Sequence, residues 1–261
     1  GLNLQDLTLF FILILIASLR VGAFLIAAPF FGSRMVPLQI RIVFSFCLGF
    51  WILDVASFPD RTVLMSAKLI PIIFQEIIIG LSAGMVVTIA FASVSLAGEK
   101  IAATSGLAFA SQVDPVGGGQ SPVISSILTL FMIVIFFSIN GHLVVFGLLY
   151  DSFDIIPIGQ FEEYSRLPKM GLASAELMLK TSAMLMLPIV SIMLLINVSV
   201  GFITKSAPQL NLFSFGFPMT ILGAIFILYF SVDALAFGFQ DLAKAILKLV
   251  GNLLMGEPDG G

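Results

Sequence analysis

The chain has 261 residues, 59% of them hydrophobic and only 10% charged, with a mean hydropathy of +1.14. Soluble domains carry about 25% charged residues, so this composition cannot cover a water-facing surface and excludes an ordinary soluble enzyme. The formal net charge of −3, without a polybasic or acidic block, argues against nucleic acid as a partner.

Charges punctuate the apolar runs. The first lies between Asp6 and Gly32 and is interrupted only by Arg20. The second, residues 42–53, is confined between Arg41 and Asp54. The third, residues 69–98, is interrupted by Glu76, and the fourth, residues 123–150, lies in the charge-free interval from Asp114 to Asp151. The fifth fills Lys180 to Lys205 and the sixth Lys205 to Asp233. A spanning helix needs about 20 apolar residues, so five runs are predicted spans and the second is too short. The runs are continuous rather than alternating with period two, which favours helices over a β-barrel. Beyond the sixth run, Asp241, Lys244, Lys248 and Asn252 line one helical face and Leu242, Ile246, Leu249 and Leu253 the other. That spacing predicts an amphipathic helix for a membrane surface or a partner.

Two polar connections stand out: residues 99–122, rich in Gly and Ser, and residues 151–176, rich in acids and prolines. The absence of repeats and linkers predicts one helical unit over 1–261. The first run has no basic leader or small-residue cleavage site, so no signal peptide is expected, and residues 257–261 read as a disordered end. Cys47 reads as a small buried hydrophobe. In simple alternation Arg34, Arg41, Lys100 and Lys205 fall on one side, against Arg61, Lys68, Arg166, Lys169, Lys244 and Lys248 on the other. Four against six sets no orientation.

Arg20, Glu76 and Asp233 are ionisable groups inside apolar runs. Each would cost roughly 2.5–3.5 kcal/mol at bilayer depth, so each needs a partner or a water-filled cavity. The readings that follow are an ion or substrate path, structural pairs between helices, or a helix that lies partly outside the membrane. His142, in Asn140-Gly141-His142, is the only histidine and has no Asp or Glu at ligand spacing, so no metal site is expected. No nucleophile elbow, Walker loop or zinc-protease motif occurs, and neither catalysis nor a cofactor is expected. The segment 106–120 differs in kind: it is small, flexible and carries three consecutive glycines. Irregular backbone at membrane depth must be buried in protein or line a cavity, so a loop inside a pore competes with an ordinary surface loop. Met184, Met186 and Met193 read as helix packing or a soft lining.

Several clusters, in order, resemble the FliR/SctT family of type III secretion export-gate components. They are Ala28-Pro29-Phe30-Phe31-Gly32-Ser33-Arg34-Met35-Val36-Pro37 followed by Arg41, and Gln75-Glu76-Ile77-Ile78-Ile79-Gly80. Ala97-Gly98-Glu99, Gly106 with Asp114-Pro115, and Asn140-Gly141-His142 follow. The last is Ala207-Pro208-Gln209-Leu210-Asn211 with Phe215-Gly216-Phe217-Pro218. The wording looks closer to the flagellar than to the injectisome (SctT) branch.

The resemblance implies an all-α membrane protein of bent helical hairpins in a helical, cone-like assembly. It implies a FliP-like part over about 1–175 and a FliQ-like hairpin over about 176–255. It further implies one copy joined to FliP and FliQ, with FlhB and FlhA nearby, as the entry portal for unfolded export substrates. The location implied is the bacterial inner membrane at the base of the flagellum, with much of the chain above the bilayer plane. A plug loop would include Gly106, Phe109, Gln112, Asp114, Pro115, Gly117, Gly118 and Gly119. Burial or assembly contacts are expected for Arg20, Arg34, Arg41, Glu76, Glu99, Asn140, His142 and Asp233. Pro29, Gly32, Pro37, Pro208, Asn211, Gly216 and Pro218 are the motif residues that carry the likeness. The competing class is an ion-coupled secondary transporter using Glu76 or Asp233. Such folds show paired repeats and interrupted helices, which this sequence does not display.

Overall fold

A computed structural model describes residues 4–31, 36–106, 123–160, 164–207, 209 and 212–256. Among these there are helices and no strands. They are α1 (Leu4–Ala27), α2 (Leu38–Ile52), the short α3 (Arg61–Leu64), α4 (Leu69–Thr104), α5 (Val123–Ser138), α6 (Gly141–Ile155) and α7 (Arg166–Ser206). A π-helical turn (Leu212–Gly216) then leads into α8 (Phe217–Phe230), and α9 (Val232–Met255) ends the described fold. The chain is an all-α membrane protein, with α1, α4 and α7 each long and apolar enough to cross a bilayer.

Helix boundaries follow local chemistry. Pro37 immediately precedes α2 and Pro218 opens α8, positions where a missing N–H costs nothing. Lengths do not fit a uniform slab. At 1.5 Å per residue α2 reaches only about 22 Å, whereas α4 and α7 extend about 54 and 62 Å against a hydrocarbon core of about 30 Å. Pro188 lies inside α7, a placement that apolar surroundings tolerate where neighbours satisfy the freed carbonyl.

One of the predicted spans is broken. The fourth run divides at Ile139 and Asn140 into α5 and α6, because Asn140 takes a left-handed conformation (φ 57°) that a helix interior cannot contain. The sixth run and the amphipathic segment beyond it are separate helices, as expected, and meet at Ser231 with a bend of 62°.

The chain forms two compact units. Unit 1 comprises residues 1–89, 140–175 and 244–261, and unit 2 residues 90–139 and 176–243. In unit 1, Ile16, Val21, Phe24, Ile79, Val87, Leu149, Phe153 and Val250 are buried. Phe146 is its aromatic hub, lying 5.6–6.1 Å from the rings of Phe24, Phe31 and Phe44. In unit 2, Val94, Ile101, Met132, Met193, Phe136 and Phe239 are buried, with Phe91 edge-on to Phe136 and Phe131 to Phe239. Met184, by contrast, is exposed.

Two expectations change. Cys47 is exposed, on the outward side of α2 beside Phe46 and Phe50. Asn252, expected on the polar face of α9, is buried while Asp241, Lys244 and Lys248 are exposed.

Candidate functional site

Unit 1 encloses a charged cluster. Arg20 of α1 and Glu76 of α4 are both 0% exposed, and Arg20 donates from Nε to Glu76 Oε2 at 2.8 Å and from Nη2 to Oε1 at 3.2 Å. Nη1 donates to Ser152 Oγ at 2.8 Å, and Nη2 also donates to the Ile156 carbonyl at 3.0 Å. The Phe153 ring lies 4.0 Å from the guanidinium carbon, a cation–π contact that fills the remaining face. Ser152 Oγ in turn donates to the Leu149 carbonyl at 2.6 Å. One fork-shaped cation thus ties α1 to α4 and to the C-terminal end of α6, with each polar atom answered.

The cluster can be this tight because α1 and α4 approach closely. Gly80 and Gly84, spaced as Gly-x-x-x-Gly, face α1: a Cβ at Gly80 would collide with the Arg20 carbonyl oxygen, and one at Gly84 would lie 2.5 Å from Ala27 Cβ. Small residues at this spacing let helix backbones meet without lipid or side chain between them. Both Glu76 oxygens are spent on the guanidinium, so the carboxylate is configured as a structural counter-ion. That geometry disfavours Glu76 as the exchanging group of an ion-coupled transporter.

A second polar arrangement lies in unit 2, where α4 ends. A helix leaves its last carbonyls without intrahelical partners. Here Asn197 Nδ2 of α7 donates to the Thr104 carbonyl at 3.0 Å, and Thr220 Oγ1 of α8 donates to the Ser105 carbonyl at 3.1 Å. Gly106 then takes φ +78°, with Phe217 packed where a Cβ would stand. On the far side of residues 107–122, Ser125 Oγ lies 2.9 Å from Ser95 Oγ and 3.2 Å from the Ser95 carbonyl. Gly98 abuts the Ser125 backbone there: a Cβ would sit 2.5 Å from its Cα.

The other sequence-selected residues are dispersed. Arg41 is half-buried and folds back on the start of its own helix, its Nε and Nη2 donating to the Val36 carbonyl at 3.1 and 2.8 Å. His142 is half-buried. Glu99, Asn140 and Asp233 are exposed in this chain, and among the described residues of this set Arg20 and Glu76 are the fully buried ones. Pro29 lies in the turn after α1, Pro37 before α2, and Gly216 and Pro218 at the start of α8. Gly32, Arg34, Pro208 and Asn211 lie outside the described residues, as do Phe109, Gln112, Asp114, Pro115, Gly117, Gly118 and Gly119. Among the described residues no group of three His, Cys, Asp or Glu is placed to hold a metal ion. A cavity of about 260 Å³ in unit 1 is lined by Val21, Leu48, Trp51, Phe146, Leu149 and Tyr150 among others, and its lining contains no carboxylate, amine or histidine.

Sequence reasoning missed Ser152, Phe153, Asn197 and Thr220. Asn197 had a legible signal, as the one amide side chain between Lys180 and Lys205. The others are ordinary in sequence and acquire their roles only from the packing.

The profile of the family described as bacterial export proteins, family 1, matches residues 11–246. The chain belongs to this export family. Among its relatives, the flagellar biosynthetic protein FliR of Escherichia coli K12 is 31% identical over 245 residues, 92% of each chain. FliR of Aquifex aeolicus is 28% identical over 240 residues, covering 90% of this chain and 92% of the relative. FliR of Bacillus subtilis is 26% identical over 243 residues, covering 92% and 93%. The stretch matched to the export family takes in the Arg20–Glu76 cluster, the end of α4, Asn197 and Thr220.

Proposed function

We propose that this chain is a non-enzymatic channel subunit of the flagellar type III export gate. One copy joins FliP and FliQ in the inner membrane, with FlhB and FlhA as neighbours, to form the entry portal for unfolded export substrates. The observation that carries this reading is the likeness to flagellar FliR along nine-tenths of the chain. Residues 1–175 act as the FliP-like part and residues 176–255 as the FliQ-like hairpin.

Three physical features support it. The helix lengths, about 22 Å for α2 and about 62 Å for α7, suit a protein-lined assembly standing partly above the bilayer better than a slab of plain spans. Large side chains on α7 and α8, among them Leu187, Leu195, Phe202, Phe226 and Phe230, are exposed in the chain alone and offer surface for FliP, FliQ or lipid. The buried charges are consumed in holding helices together, which leaves them no part in chemistry.

The segment 106–120 serves as the plug of the closed pore. Firm roots on both sides, at Thr104–Gly106 and at Ser125, are what a short sealing loop requires. Deleting residues 106–120 should leave assembly with FliP and FliQ intact while making the membrane leak ions and small solutes. An assembled gate that stays tight after the deletion refutes the plug assignment.

A further inference from the structure

The end of α4 is held in an unusual way. Thr104 and Ser105 present successive carbonyls at a helix terminus, where no intrahelical donor remains to satisfy them. Each receives one side-chain donor, and the two donors come from different helices: Asn197 Nδ2 from α7 at 3.0 Å and Thr220 Oγ1 from α8 at 3.1 Å. Ser105 is 0% exposed and Thr220 is buried, so their bond is enclosed, while the Asn197 bond joins two half-buried residues beside it. The Phe217 ring closes over Gly106, whose positive φ ends the helix at that residue.

Thr220 has a second acceptor. Its hydroxyl also lies 3.0 Å from the Phe217 carbonyl on its own helix. A hydroxyl owns one proton, so it can answer one of these carbonyls fully or share between them. If α8 withdraws, Thr220 keeps a partner in Phe217, and only the α4 carbonyl is left unanswered. The contact is therefore a catch that α8 can release, not a bond whose loss strands groups on both sides.

We infer that Asn197 and Thr220 are positioning residues of the gate, a two-point clasp by which α7 and α8 hold the end of α4 and the start of the proposed plug. The inference rests on that plug reading for its consequence, but the clasp itself consists of described residues and can be measured separately. Under it, a shift of the α7–α8 hairpin relaxes the plug's root, giving the hairpin control over the closed state.

The test uses the full gate assembled with FliP and FliQ. Asn197→Leu and Thr220→Val remove a donor with little change in volume, while Thr220→Ser keeps the hydroxyl. Three quantities are read: assembled complex recovered, leak of a small dye from proteoliposomes, and hydrogen exchange at the backbone amides of 104–106. Loss of one such bond should speed exchange by about fivefold. Asn197→Leu and Thr220→Val should both do so and raise the leak with recovery unchanged, and Thr220→Ser should behave as the parent. A purely structural role would instead lower recovery, or move Val and Ser alike, and either result overturns the inference. If the 106–120 deletion leaks but the two donor-removing variants stay tight with exchange unchanged, the clasp is wrong and the plug stands. If the deletion itself stays tight, the plug reading fails, and exchange alone decides the clasp: faster in Val but not in Ser upholds it, unchanged in both overturns it.

Discussion

Replacing Glu76 by Ala removes two of the four hydrogen bonds made by Arg20 and leaves a guanidinium with 0% exposure facing Ser152, the Ile156 carbonyl and the Phe153 ring, with no counter-charge. Breaking a buried ion pair from one side costs about 3–5 kcal/mol, because the surviving charge stays desolvated. Arg20→Met should cost a similar amount by stranding the carboxylate. The double variant Arg20→Met with Glu76→Met strands no charge, and apolar replacement of a whole buried pair ranges from neutral to stabilising by roughly 1–4 kcal/mol. Against that stands the Ile156 carbonyl, whose lost donor costs about 1–3 kcal/mol. Ser152 is spared, since it still donates to Leu149. The double variant should therefore lie within about 3 kcal/mol of the parent, and the coupling between the two sites should be at least about 3 kcal/mol. The assay is survival of the purified gate through a temperature series, followed by size exclusion, with motility in soft agar alongside. Glu176→Ala, at an exposed position on α7, is the control. If Glu76→Ala matches that control, or if the double variant is as damaged as the two single ones summed, the cluster does not hold the fold in the way described.

Gly80→Val should sharply reduce recovery of folded protein, by about 1–3 kcal/mol or more of overpacking, because its Cβ meets the Arg20 backbone. Gly147→Val, where nothing lies within 4 Å, should be tolerated in the same recovery measurement. At Asn140, φ 57° makes Asn140→Gly neutral or mildly stabilising, whereas Asn140→Val should cost about 1–2 kcal/mol, read as earlier loss in the temperature series.

Much of this organisation was legible in the sequence, and the exceptions were the informative part. Arg20 and Glu76 announced themselves as charges in apolar runs, and the structure joins them; which of the candidate charges would pair depended on the Gly80 and Gly84 contact, which composition does not reveal. The brevity of the second run survives in α2. The fourth run looked continuous but is broken at Asn140 by a left-handed residue, and the 62° bend at Ser231 where the sixth run meets the amphipathic segment was equally unreadable, since hydropathy records length and polarity but not direction. The face of α9 was readable down to Lys248, but Asn252 turned out buried because the polar stripe of a helix ends wherever a neighbour covers it. The clasp at Thr104 and Ser105 was invisible: Asn197 and Thr220 lie 93 and 115 residues from their acceptors, and nothing local marks the match.

The most direct test of the account is purification of the tagged chain from membranes with and without co-expressed FliP and FliQ. The account predicts one complex containing all three proteins and a single copy of this chain. It further predicts that cysteines placed at Phe226 and Phe230, exposed in the chain alone, become shielded from a maleimide in that complex. A stable, monodisperse chain in equal yield without either protein, with no association when they are present, would contradict it.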